Sequence, residues 1–310
     1  VGGSDYEYGK LWADAWAAAF VWRKRPEGKP AADGQDGWPY PITEQVFREI
    51  ERSPHTQPKW LKDEIRRLAA EYQFFHWHLA FPQVFRPRED FPGNSEFPRK
   101  WDDENDDVTG WDGGFDVVLG NPPWEHTELK EKEWFASRSP AIADAGTGAM
   151  RKRMIEKLRK DDPPLYAAFN EAKREHDSVS HFTRNSGRYP LTGRGRINTY
   201  AIFTELAMRT KNNSGRTGII VPTGVATDYT YQDFFWYLID NNLLISLIGF
   251  ENEEFIFPAV ANVVRFCLLT LGSTDEAIPT LAFYLRRAIQ LTEKERFFQL
   301  TKNDVKLLNA

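Results

Sequence analysis

The chain has 310 residues, 41% hydrophobic and 27% charged, a globular balance with enough apolar content for one large domain or two modest ones. Its single cysteine, Cys267, excludes an internal disulfide framework and fits a reducing, cytoplasmic setting, and no apolar run approaches the ~18 residues of a membrane span. Net charge is −5, so a polyanionic partner would have to meet a local basic surface or one outside these residues.

Residues 5–25 place Leu11, Trp12, Ala15, Trp16, Ala19 and Phe20 at helical spacing, and Gly, Pro and Asp then mark a loop over 26–41. Thr43 precedes a short helix through Val46, Phe47 and Ile50, and a longer helix runs from Trp60 through Ile65, Leu68 and Ala69 to Tyr72. The stretch FFHWHLAFPQVF over 74–85 alternates as an extended segment ending at Pro82. A solvated loop follows over 86–114, with an acidic run at 102–107. Residues 125–195 are helical and highly charged, with a turn-rich end at SGRYPLTGRG, and 197–210 form an amphipathic helix. Three strand-like runs come next, at 217–221, 243–250 and 262–271, with a helix around Tyr231–Asn241 between the first two. Strand–helix–strand alternation predicts an α/β sheet, mostly parallel, with helices on its faces.

Four parts follow from this reading: a mainly helical segment 1–85, an acidic loop 86–114, an α/β core 115–275 with a helical insert at 125–195, and a helical linker 276–310. The chain begins Val1-Gly2-Gly3 and stops at Leu307-Leu308-Asn309-Ala310, which reads as a piece of a longer protein.

One segment is shaped for chemistry. Phe115-Asp116-Val117-Val118-Leu119-Gly120 suits a buried strand, and Asn121-Pro122-Pro123-Trp124 follows at its carboxyl end, where open α/β sheets bind ligands. The prolines fix φ and remove backbone donors, leaving local carbonyls rigidly aimed. A free carbonyl beside the Asn121 amide oxygen gives two acceptors for the two hydrogens of a substrate amine, and Trp124 offers a face for a heteroaromatic ring.

FDVVLGNPPW resembles motif IV of the gamma-type N6-adenine DNA methyltransferases, and in particular the large methylases of type IIG restriction–modification and related phage-defence systems. FHWHLAFPQVF before it, and SGRYPLTGRGRINTYAIF, GRTGIIVPTGVATD and FENEEFIFPAVANVVRFCLLTL after it, are similar to successive blocks of that family in their usual order. The resemblance implies the C-terminal part of a Rossmann-like class I methyltransferase sheet with helical insertions. It implies S-adenosylmethionine as methyl donor and double-stranded DNA as partner, with other restriction or defence subunits possible and no membrane. Within Asn121-Pro122-Pro123-Trp124, Asn121 and the Pro122 carbonyl match the acceptors on the target N6, and Trp124 replaces the commoner tyrosine of the motif with its stacking role kept. Phe257 matches the aromatic that meets the flipped base, and Phe203 the aromatic that lies against the cofactor's adenine.

Arg184, Arg188, Arg194 and Arg196 form a basic cluster in the turn-rich segment, open both to a phosphate role and to plain solvation. His76 and His78 lack a third ligand at metal spacing and read as structural, so no metal is expected. The family's glycine-rich cofactor loop is not found upstream of the motif. Neither Gly146-Thr147-Gly148 nor Gly193-Arg194-Gly195 follows an apolar strand, so that loop is expected outside this chain, as is a target-recognition domain after it. Two other functions stay open: a non-catalytic DNA-binding or scaffolding subunit of a defence complex, and an RNA- or protein-directed N-methyltransferase.

Overall fold

The computed structural model of the chain describes residues 3–23, 41–87, 111–273 and 278–308. The loops expected over 26–41 and 86–114 fall almost wholly outside these residues. The chain divides into two compact units, one of residues 1–79 and 127–187 and the other of residues 80–126 and 188–310.

The first unit is helical. Helices α1 (Gly3–Val21), α2 (Glu44–Arg52) and α3 (Lys59–Glu71) are followed by the short α4 (Trp77–Ala80) at its boundary. After the motif come α5 (Glu131–Ala136), α6 (Pro140–Ala143), α7 (Gly148–Asp161) and α8 (Pro163–Asn185). Thr43 caps α2 by accepting a hydrogen bond from the Val46 N–H, as its position predicts. Leu11, Ala15 and Ala18 of α1 and Leu61, Ile65 and Leu68 of α3 share one core, each set recurring at the three- and four-residue steps of one helix face. One charged side chain is sealed beside that core. Asp14, nearly fully buried, pairs with His76 Nε2 at 2.8 Å, which gives His76 the structural role expected.

The insert does not sit in the α/β core, as the sequence led us to expect. Its longest helix, α8, packs on α1, where Phe182 meets Trp16 and Phe20 edge-on at 5.8 and 5.6 Å. Aromatic residues on two helices far apart in sequence bury more surface against each other than either could alone. Gly146-Thr147-Gly148 proves to be a helix start, with Thr147 Oγ1 accepting the Met150 N–H at the head of α7.

The 74–85 stretch is not extended either. Gln73 takes a left-handed backbone that reverses the chain after α3, and 77–80 coil into α4. Only Phe85–Pro87 finds a partner strand.

The second unit is an α/β domain with a mixed sheet. Strands β1 (Phe85–Pro87) and β2 (Trp111–Gly113) pair antiparallel. Strands β3 (Phe115–Gly120), β4 (Lys211–Pro222), β5 (Leu244–Glu251), β6 (Arg265–Leu271), β7 (Thr280–Leu285) and β8 (Phe298–Gln299) form a six-stranded sheet in the order β3-β4-β6-β5-β7-β8. Helices α9 (Thr199–Thr210), α10 (Gly224–Thr227), α11 (Gln232–Asp240) and α12 (Lys302–Leu308) complete it. Gly113 and Gly114, both at positive φ, admit the chain to β3, where a Cβ on Gly114 would meet the Lys211 backbone at 2.6 Å.

Strands β3, β4, β5 and β7 run one way, with helices crossing between β3 and β4 and between β4 and β5. β6 returns between β4 and β5, antiparallel to both, because a loop over 252–264 replaces a crossover helix. The helical linker expected over 276–310 is mostly something else: Thr280–Leu285, a six-residue run of strand formers, pairs parallel with β5, and only α12 is helical at the end.

One face of the sheet is sealed by α9 and α11. Thr217, Val221, Cys267, Leu269 and Leu271 lie there at essentially no exposure. The other face, with Ile220, Ile248 and Leu268, is only half-buried, and at the edge Val117 and Leu119 of β3 are 59% and 77% exposed. Among the described residues no helix is long and apolar enough to cross a membrane.

Candidate active site

The Asn121-Pro122-Pro123-Trp124 turn leaves β3 at the carboxyl rim of the sheet and is fastened to the start of α9. Asn198 caps α9 by accepting the Tyr200 N–H, leaving Thr199 as its first residue. Thr199 Oγ1 donates to the Pro123 carbonyl at 2.6 Å and accepts the Glu125 N–H at 3.1 Å, while the Thr199 N–H donates to the Glu125 carbonyl at 2.8 Å. Asn198 also forms an antiparallel bridge with His126. The Pro123 carbonyl is thereby used up. The Asn121 amide and the Pro122 carbonyl make no hydrogen bond among the described residues, and Asn121 is exposed. Two acceptors on a stiff turn thus remain for a ligand.

Trp124 is half-buried. Its ring meets Phe257 edge-on at 6.1 Å and 84°, and lies tilted against the buried Phe266 at 6.3 Å. The indole N–H is buried and makes no hydrogen bond among the described residues, which costs about 1–3 kcal/mol. Phe257 comes from the β5–β6 loop, and Asn252 knots that loop. Fully buried, Asn252 donates from Nδ2 to the carbonyls of Phe257 and Val260 at 3.0 and 2.9 Å and accepts the Phe257 N–H at 2.9 Å. The structure therefore brings together two aromatic side chains 133 positions apart that the sequence assigned to one base.

Phe203 lies one turn into α9 from Thr199 and is 44% exposed, on a helix whose neighbours Ala201, Thr204 and Glu205 are fully buried. The four arginines fall on both units. Arg184 ends α8 in the first unit, while Arg188, Arg194 and Arg196 belong to the second. Arg184, Arg194 and Arg196 are exposed, while burial pulls the Arg188 guanidinium below its usual range; Arg194 donates to Asp233 and to the Pro190 carbonyl, and the other three have partners as well. Asp116 accepts a hydrogen bond from Asn212 Nδ2 at 2.7 Å and so ties β3 to β4. Cys267 is buried in β6, and burial pushes its thiol up to about 12. Among the described residues no cluster of His, Cys, Asp and Glu could hold a metal.

Sequence reasoning missed Thr199, Asn252 and Glu205. Glu205 is fully buried on α9 and accepts from the Thr192 backbone N–H and hydroxyl at 2.9 and 2.6 Å and from Arg209 at 3.1 Å, which pins the turn-rich segment to the helix. Only Glu205 left a signal, a charged residue on the apolar face of a helix, because a buried polar group implies partners.

Residues 43–177 match the Eco57I restriction-modification methylase family. No curated protein matches the chain. Among solved structures, it is similar to a modification subunit from Vibrio vulnificus YJ016 assigned to a type I restriction enzyme, with 16% identity over 61% of this chain and 28% of that one and a TM-score of 0.32. It is similar to the type IIG restriction endonuclease BpuSI, with 14% identity over 62% of this chain and 19% of that one and a TM-score of 0.35. It is also similar to the type I restriction-modification methyltransferase subunit from Streptococcus thermophilus, with 15% identity over 70% of this chain and 35% of that one and a TM-score of 0.31. The chain thus spans between 19% and 35% of the length of these three proteins. It resembles the large methylases of restriction–modification systems, and its residues 43–177, which contain the Asn121–Trp124 turn, match the Eco57I restriction-modification methylase family.

Proposed function

We propose that the chain carries the target-base side of a DNA methyltransferase that places the methyl group of S-adenosylmethionine on adenine N6, within a restriction–modification or phage-defence protein. One observation carries this reading: among the described residues the Asn121 amide and the Pro122 carbonyl are uncommitted, while the neighbouring Pro123 carbonyl accepts from Thr199. Each free oxygen accepts one hydrogen of an exocyclic amine. The amine lone pair, normally delocalised into the purine ring, is then localised on the nitrogen and aimed away from the two acceptors. No carboxylate or histidine base is needed before the transfer.

Trp124 and Phe257, edge to face, present one ring face and one ring edge to the base. Stacked bases bury their faces and pair through the amine, so in this reading a duplex adenine meets the two rings only by leaving its stack. S-adenosylmethionine, when bound, supplies an electrophilic methyl group. The open ring of Phe203, on the helix that buttresses the motif turn, fits a flat adenine moiety. Phosphate contacts are assigned to Arg184, Arg188, Arg194 and Arg196, each of which would exchange an existing interaction for a phosphate oxygen.

The test is Asn121→Ala in the full-length protein. We expect N6-methyladenine formation to fall by roughly 10²–10³-fold, with double-stranded DNA binding held within about twofold. Undiminished methylation overturns the assignment of the acceptor.

A further inference from the structure

The β5–β6 loop that holds Phe257 also carries a second aromatic residue with no part in the pocket. Phe255 is 52% exposed and sits in the left-handed region at φ +52°, a conformation that a bulky side chain rarely adopts. Such strain persists only where the surroundings enforce it, and here the Asn252 knot does so, with the Phe255 N–H donating to the Asn252 carbonyl at 2.9 Å. Ile256 beside it and Val263 across the loop are also exposed, so the loop tip is apolar although it faces solvent. Phe257 turns inward to Trp124 two residues later, a chain distance of at most about 7 Å.

We propose that Phe255 is a wedge that enters the base stack of the duplex when the target adenine leaves it. This rests on the function proposed above. If the flipped base lies against Trp124 and Phe257, the gap it leaves in the duplex is within reach of the same loop. Apolar side chains inserted at a base step compensate the lost stacking and hold the step open. The loop's own carboxylates do not bar a polyanion. Glu251 pairs with Arg265 and Arg286, Glu253 with Arg286, and Glu254 with Arg287, so three carboxylates meet three guanidiniums. The strained backbone serves this role by leaving one aromatic side chain exposed while its neighbour but one packs on Trp124.

The experiment uses the full-length protein and a duplex carrying its own methylation sequence, with 2-aminopurine in place of the target adenine. The unstacked probe fluoresces when flipped. Phe255→Ala should lose most of this signal and, on a separate paired duplex that keeps adenine at the target, lower kcat/KM by about tenfold. Both should recover to within about twofold when the target faces an abasic site, where no stacking gap needs filling. Phe255→Leu should retain much of the function on paired DNA. Asn121→Ala should still flip the probe. Wild-type signal from Phe255→Ala on paired DNA overturns the wedge, and so does an equal loss on both duplexes, which would mark a structural role. A wild-type protein that methylates nothing defeats the underlying function instead.

Discussion

Replacing Thr199 with valine isolates the contribution of the clamp on the motif turn. Valine keeps the shape and a comparable helix propensity. It removes one hydrogen bond to the Pro123 carbonyl at 2.6 Å and one from the Glu125 N–H at 3.1 Å. Two hydrogen bonds of ordinary net value amount to about 1–3 kcal/mol. Pro123 and Glu125 are exposed, so water replaces the lost partners and the global effect falls near 1 kcal/mol, a melting shift of roughly 2–4 °C. The catalytic effect should be larger than that shift suggests, because the clamp fixes where Asn121 and Pro122 aim their oxygens. We expect kcat to fall about tenfold with KM for DNA unchanged, since a small misplacement of reacting groups is costly. Single-turnover methylation of the full-length protein measures this, and Thr199→Ser should restore the rate. A Thr199→Val enzyme with wild-type kcat would refute the idea that rigidity of this turn matters.

Two further predictions concern stability and burial. Burial pushes the Asp14 carboxyl up, but hydrogen bonds from His76 and Lys10 outweigh it and hold the group below the usual carboxylate range. A depressed value stabilises the fold above that range and the benefit is lost as pH falls through and below it, so Asp14→Asn should flatten the acid limb of a circular dichroism titration; an unchanged limb would show that the pair contributes nothing. Cys267, buried with its thiol raised to about 12, should resist thiol reagents at pH 8 until denaturant is added, and rapid labelling of the native protein would contradict the packing of β6.

The motif turn was legible in the sequence because two prolines after a strand leave few backbone conformations. The helices α1, α2, α3 and α9 were legible because their apolar residues recur at helical steps, and the α/β class because β4, α11 and β5 alternate. What holds the site in place was not legible. Thr199 reaches Pro123 across 76 positions, and Asn252 knots a loop through single contacts to its own backbone, so neither leaves a periodic trace. Phe203 and Phe257 could be named by resemblance, but only the fold decides that Phe257 meets Trp124. The partition of the chain failed for a related reason. Hydrophobic pattern states that α8 must bury a face, not that α1 supplies the surface. Short strands such as β7 carry too few residues for their period to stand apart from a linker.

The half-bare β3 strand bears on how this chain behaves by itself. Among the described residues, one side of β3 has no neighbouring strand, so its backbone groups form a ready template next to Val117 and Leu119. Copies of the isolated chain that meet there can stack through main-chain bonds and bury both side chains at once. Colloidal behaviour in a preparation of this piece would then depend on concentration more than on temperature, and poor solubility would not by itself mean misfolding.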